Sequence, residues 1–189
     1  MMALPKIILA SQSPRRKQLL EWAEVEFDVV VSDSDESFPP ELSFEEAAIH
    51  IARNKAIAVA NKMQTGIPVL AADTIVVCDD EIIGKPTDRE DAIRILEKLS
   101  GKHHQVITAV VIHHGENEIA FADCTDVHFH TLSKEQISFY VDQYKPYDKA
   151  GAYAIQEWIG VVGIKSINGD FYNVMGLPVS RVVQELHKL

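Results

Sequence analysis

"HQVITAVVIHHGENEIAFADCTDVHFH", residues 104–130, is two long β-prone runs around one glycine, Gly115. Two such runs with a short Gly-containing joint read as a β-hairpin. A hairpin pairs its strands antiparallel, so the sheet that holds it cannot be purely parallel. Upstream, "KIILA" (6–10) is a short apolar strand that enters a helix at Ser13-Pro14, with Ser13 as its cap. "FDVVVS" (27–32) reads as a second strand, and "VLAADTIVVC" (69–78) as a buried one that Asp79-Asp80 turns back into "EIIGKP" (81–86). Ser43 and Glu46 make a capping box for a long helix ending near Met63. Thr87 and Glu90 make another for a helix to Leu99, with Gly101 where a left-handed cap belongs. Downstream, Ser133 opens a helix carrying Ile137 and Val141. Asn168-Gly169 predicts one more hairpin turn, and Pro178 starts the last helix. Strands outnumber what βαβ alternation needs. The expected fold is therefore α/β, a mixed sheet with helices packed on it.

Composition sets the outer bounds. The 189 residues suffice for one domain with a real core, or two small lobes sharing one, and 47% of them are hydrophobic. No linker, repeat or low-complexity tract divides the chain, so residues 1–189 are read as a single domain. A formal net charge of −10 argues against a nucleic-acid-binding face, though not against one small anion site. The opening "MMALPKIILA" contains Pro5 and Lys6 and makes a poor signal peptide, and no run is long enough to span a membrane. Cys78 and Cys124 lack metal-ligand spacing and read as two buried, reduced thiols. A cytoplasmic protein is expected.

Several residues sit where elementary chemistry disfavours them. Arg15 and Arg16 follow Pro14 in a helix's first turn, where cations oppose the positive end of the dipole. Either they are solvated at small cost, or an anion sits there and takes bonds from the helix amides, the Ser11 hydroxyl and the guanidinium forks. Asp73 is a carboxylate amid Val, Leu, Ala and Ile; either it caps a neighbouring backbone or pairs with one lysine, or it is catalytic. Lys55 is four residues from both Ile51 and Val59, which turns it toward the core or a cleft unless it snorkels. Lys85, in "GKP", stands at the mouth of a hairpin. Glu36, in the acidic loop "DSDESFPP" (33–40), is suited to join Asp73 in holding a hard divalent ion. "KAGAYAIQ" (149–156) suggests either a tight-packed strand crossing or close approach of backbone to a ligand. Its Gln156 has the donors and acceptor to read a base edge. The eight histidines show no zinc-like spacing.

In order along the chain, "LASQSPRR" (9–16), Asp35-Glu36, Lys55, "AADTIV" (71–76), "GKP" (84–86), "LSG" (99–101) with His104 and Val106, "DKAGAYAIQ" (148–156) and "NVMGLP" (173–178) resemble the Maf family of nucleoside triphosphate pyrophosphatases. The resemblance covers Leu9 to Pro178. It implies a mixed, strongly twisted central sheet flanked by helices, with two lobes around a cleft, related to the inosine-triphosphate pyrophosphatases. It implies hydrolysis of a nucleoside triphosphate to the monophosphate and pyrophosphate with a divalent cation, Mg²⁺ or Mn²⁺, and a homodimer. By motif, Asp73 is the proton acceptor, and Ser11, Arg16, Glu36, Lys55 and Lys85 serve phosphate and metal. Arg15, Thr74 and Gln156 match positions tied to base choice. "AADT" and "DKAGAYAIQ" are similar to the branch acting on dTTP and UTP. The alternatives are the branch acting on 7-methyl-GTP or other modified nucleotides, and a nucleotide-binding regulator of cell division with incidental hydrolysis. Ala154 departs from the glycine more usual there, which matters only if the backbone needs a positive φ.

Overall fold

A computed structural model describes residues 4–31, 33–63 and 66–189. Ser32, the expected end of the second strand, and the first three residues of the opening stretch lie outside them. The elements run β1 (Ile7–Leu9), α1 (Pro14–Trp22), β2 (Phe27–Val29), α2 (Phe44–Met63), β3 (Val69–Cys78), β4 (Glu81–Ile83), α3 (Arg89–Leu99), β5 (His103–His114) and β6 (Asn117–Phe129). There follow α4 (Lys134–Tyr144), a single 3-10 turn (Ala150–Ala152), α5 (Trp158–Gly163), β7 (Ile164–Asn168), α6 (Phe171–Met175) and α7 (Val179–Leu186). The strands form one seven-stranded sheet in the order β2-β1-β3-β5-β6-β7, with β4 paired to β3. The pairs β1–β2 and β1–β3 are parallel, whereas β3–β4 and β6–β7 are antiparallel. The sheet is therefore mixed. The deciding hairpin is present: β5 and β6 are neighbours joined by a two-residue turn at Gly115-Glu116. A joint that short permits only antiparallel pairing.

The chain divides into two compact units. The first comprises residues 1–73, 108–123 and 176–189, the second 74–107 and 124–175, so β3, β5 and β6 contribute to both. In the first unit β1 lies between two parallel neighbours and is buried at all three positions, Ile7, Ile8 and Leu9. Each such aliphatic side chain contributes about 1.5–3 kcal/mol by burial. The helix α2 presents Ala48, Ile51, Ala52, Ala56 and Val59 to the core at helical spacing. In the second unit α3 buries Ala92, Leu96 and Leu99 and packs on α4 and on the 3-10 turn. No described helix is long and apolar enough to cross a membrane.

Local signals held where the chemistry was reciprocal. At α2 the Ser43 amide donates to Glu46 at 2.9 Å and the Glu46 amide donates to the Ser43 hydroxyl at 3.3 Å. Ser133 and Gln136 close the same box at α4. Asp79 and Asp80 turn the β3–β4 hairpin with φ of +53° and +60°, the left-handed pair that a two-residue turn favours. Gly101 caps α3 at φ +72°.

Four expectations are corrected. The box at Thr87/Glu90 moves one residue on: Asp88 accepts from the Asp91 amide at 2.8 Å, and Asp91 accepts from the Thr87 amide at 3.0 Å. Aspartate is the better cap, and Asp91 is long enough to reach back to Thr87. The Ser13 side chain caps nothing; its amide instead donates to the Ser11 hydroxyl at 3.2 Å. Asn168-Gly169 is not a hairpin turn, because β7 runs on into α6. Gly169 serves both conformation and closeness: its φ is +131°, and a Cβ would sit 2.7 Å from the Thr125 hydroxyl, which donates to the Asp170 carbonyl at 3.0 Å. Of the two thiols Cys78 is buried but Cys124 is exposed, because β6 turns alternate residues outward.

Candidate active site

The loop between β1 and α1 is a folded knot around Ser11. Its hydroxyl accepts from the Ser13 amide and, at 3.2 Å, from Arg16 Nη1. Arg16 is not a solvated first-turn charge. Its Nη1 also donates to the Ala72 carbonyl at 2.8 Å, and its Nε donates to the Gly176 carbonyl at 2.8 Å. One guanidinium thus ties the start of α1 to β3 and to the chain just before α7. Desolvation pulls its pKa down to about 10, with Arg15 adding repulsion, while Asp73 and Glu36 act in the opposite direction. Those two carboxylates are therefore close enough for Arg16 to sense them.

Ala72 is followed in β3 by Asp73. The Asp73 carboxylate accepts from Lys55 Nζ at 2.7 Å, and the same ammonium is 2.8 Å from Glu36 Oε1. Lys55 comes from α2 and turns inward as its helical position requires, with 19% of its side chain exposed. Asp73 thus pairs with one lysine, as the structural alternative to a catalytic role expected. Residues 36, 55 and 73, from a loop, a helix and a strand, meet at one point of the first unit. Two carboxylates that converge on one cation form an oxygen donor set suited to a hard divalent ion. Among the described residues no group of three or more His, Cys, Asp or Glu side chains is arranged to hold a metal. The carboxylates that meet here are two, Glu36 and Asp73, with the Lys55 ammonium between them.

The structure places the other sequence-derived candidates as follows. Arg15 is half-buried in the first turn of α1. Thr74, Lys85 and Gln156 belong to the second unit. Thr74 is half-buried in β3, while Lys85 and Gln156 are exposed. Within that unit the loop of Lys85 is fastened to the Gln156 segment: the Gly151 amide donates to the Gly84 carbonyl at 3.1 Å. The segment 149–156 is a one-turn helix and a loop, so the strand crossing is corrected. Its small residues do serve close approach, since a Cβ on Gly151 would meet the Val76 methyls at 3.1 and 3.2 Å. Ala154 stands outside the positive-φ residues, so alanine is accepted there at no backbone cost. Ala152, at φ +57°, carries the strain instead.

Sequence reasoning missed the partners of Arg16. Two of the three are backbone carbonyls, which any residue supplies and no motif marks. It also missed Tyr140 and Glu157, whose role depends on a helix meeting a loop.

The profile of the family described as Maf-like protein matches residues 6–189. The chain belongs to the Maf family. Among its relatives is a dTTP/UTP pyrophosphatase of Bacteroides thetaiotaomicron, 49% identical over 97% of this chain and 96% of the relative. Another, from Cytophaga hutchinsonii and named dTTP/UTP pyrophosphatase, is 49% identical over 97% of this chain and 84% of its own. The Maf chain also resembles solved structures that are more distant in sequence. A HAM1 protein from Coxiella burnetii superposes with a TM-score of 0.52 at 18% identity, over 98% of this chain and all of the other. The Staphylococcus aureus Ham1 protein gives 0.51 at 16% identity, over 95% and 99%. At that identity the likeness is one of fold.

Proposed function

We propose that this Maf protein is a nucleoside triphosphate pyrophosphatase that hydrolyses dTTP and UTP to the monophosphate and pyrophosphate. The observation that carries the reading is the Glu36–Lys55–Asp73 cluster beside the Arg16-held strand, in a chain 49% identical to proteins of that name. Hydrolysis needs a base for water, cations for the phosphates and a group that reads the base. Asp73, oriented by Lys55, takes the proton as the water oxygen bonds to phosphorus and the P–O bond to the leaving pyrophosphate breaks. Lys55 and Lys85 are assigned to the charge that builds on the phosphate oxygens. The Ser11 hydroxyl and the amides at the start of α1 suit a phosphate oxygen, with Arg15 beside them. Gln156 and Thr74 are assigned to the base edge.

A divalent cation, Mg²⁺ or Mn²⁺, is part of the proposal. Glu36 and Asp73 would hold it, and it would neutralise charge on the triphosphate. A cytoplasmic location follows from the substrate, since nucleoside triphosphates are made and used there. A homodimer is also proposed. Supporting it are the family resemblance and the exposed apolar residues of α4 and α5, Phe139, Val161 and Val162; light scattering in solution tests it.

Steady-state pyrophosphate release across a nucleotide panel, with and without added metal, tests the activity. Turnover of dTTP and UTP above purine nucleotides and 7-methyl-GTP is expected. Asp73→Asn is expected to bind nucleotide but lose at least about a hundredfold in turnover, the lower range of general-base catalysis. Near-native turnover in that variant removes Asp73 from the reaction.

A further inference from the structure

The residues before Gln156 are built as a platform. Gly151 to Ile155 are buried without a break, and Gln156 is the first side chain to reach solvent. Each buried residue in turn is held. Gly151 lies on Val76 and bonds to Gly84. The Tyr153 hydroxyl shares a 2.8 Å hydrogen bond with Nε2 of buried His104, and its ring stands edge-on to Phe129. The Ala154 amide donates to the Tyr140 hydroxyl at 3.1 Å. The Ile155 carbonyl fills the place a Cβ on Gly160 would need, 1.6 Å away.

The Tyr140 hydroxyl does more than hold Ala154. It donates in turn to the Glu157 carboxylate. One oxygen in the middle of α4 therefore bonds to the chain two residues before Gln156 and one residue after it. The Tyr140 ring is fully buried, and the Glu157 amide closes the turn onto the Ala154 carbonyl at 3.1 Å. Lys149, with 10% of its side chain exposed, brings its ammonium within 3.7 Å of Glu157 Oε1 and bonds Asp148 at 2.8 Å. The phenol bonds the carboxylate directly, and the ammonium faces that carboxylate as an ion pair, beyond hydrogen-bond distance. Buried polar networks of that kind specify one backbone geometry at the expense of an easier apolar core. Here the geometry specified is that of the residue they bracket.

We propose that Tyr140 and Glu157 are positioning residues for base recognition by Gln156, with Lys149 as the counter-charge of the Glu157 carboxylate. The proposal rests on the reading of Gln156 as the group that meets the base. An amide that must match a carbonyl and an N–H on one pyrimidine edge tolerates little displacement. Specificity thereby depends on a hydroxyl that never touches the substrate.

The test compares kcat/KM for dTTP with that for dCTP, whose amino group replaces the carbonyl at the same edge. Tyr140→Phe removes one oxygen and keeps the ring. It and Glu157→Ala are each expected to narrow the dTTP-to-dCTP ratio roughly tenfold, within the cost of an ångström-scale misplacement. Glu157→Gln keeps an oxygen acceptor and restores most of the ratio. The double variant Tyr140→Phe/Gln156→Ala should be no less selective than Gln156→Ala alone, because both act through one contact. A purely structural Tyr140 would lower melting temperature and both kcat/KM values together, with the ratio intact. An unchanged ratio in Tyr140→Phe and Glu157→Ala, beside a narrowed one in Gln156→Ala, overturns the positioning role and leaves the base reader standing. An unchanged ratio in Gln156→Ala overturns both. If Tyr140→Phe does not fold, the half-exposed Glu157 pair carries the comparison.

Discussion

Replacing Arg16 separates an arginine that waits for phosphate from one that holds the protein together. Its guanidinium makes three hydrogen bonds, to the carbonyls of Ala72 and Gly176 at 2.8 Å and to the Ser11 hydroxyl at 3.2 Å. A bond with a charged partner contributes about 1.5–3 kcal/mol, so the three together bring about 4.5–9 kcal/mol. Against this stands the cost of desolvating the cation, visible as the fall of its pKa to about 10; it is still charged at neutral pH. Replacing a buried charge by an apolar side chain recovers that cost, and the recovery is of order 1–4 kcal/mol. The middle of that difference, a loss of about 4 kcal/mol, is the expectation for Arg16→Met. With a urea slope of about 2 kcal/mol per molar, the midpoint falls by about 2 M. Arg16→Lys keeps the charge but has no planar fork to span two carbonyls, and it is expected to lose nearly as much. Urea unfolding followed by circular dichroism, without nucleotide, measures both. A midpoint for Arg16→Met within about 0.3 M of the native protein refutes the structural role. A fully stable Arg16→Lys shows that charge alone suffices.

Three further outcomes follow from named contacts. Lys55 occupies the point where Glu36 and Asp73 converge, so Lys55→Met should bind Mn²⁺ more tightly than the native protein in the absence of nucleotide, while losing about a hundredfold in turnover. Manganese titration by electron paramagnetic resonance showing equal or weaker affinity contradicts this. Burial, helped by His103, holds buried His104 down at about 4, against about 6.5 in the unfolded chain. The neutral ring is the folded form, so its stability contribution is complete above about pH 6.5 and lost as pH falls through about 4. The total is roughly 3 kcal/mol. His104→Phe should flatten the unfolding free energy measured between pH 7 and pH 4.5, and an unaltered slope there assigns the acid sensitivity elsewhere. Gly160→Ala forces a Cβ onto the Ile155 carbonyl and should cost several kcal/mol; a melting temperature equal to the native one contradicts the packing at that turn.

What the sequence determined by itself is local or ordered. The β5–β6 hairpin around Gly115, the Ser43/Glu46 box and the left-handed Gly101 are encoded within a few residues of where they act. The inward turn of Lys55 follows from helical spacing, and the unfavourable solvation of a lone Asp73 called for a partner. The partner's identity was not legible, because residues 36, 55 and 73 become neighbours only when a loop, a helix and a strand meet. The purpose of Arg16 was closed to sequence for a sharper reason. Its main partners are carbonyl oxygens at positions 72 and 176, and every residue has one. Gly169 read as a hairpin turn because its positive φ is the same signal whether or not a second strand follows. Only Thr125, distant in the chain, shows that clearance is needed there as well. Residue type records what a position can do, and tertiary structure decides which atoms it does it to.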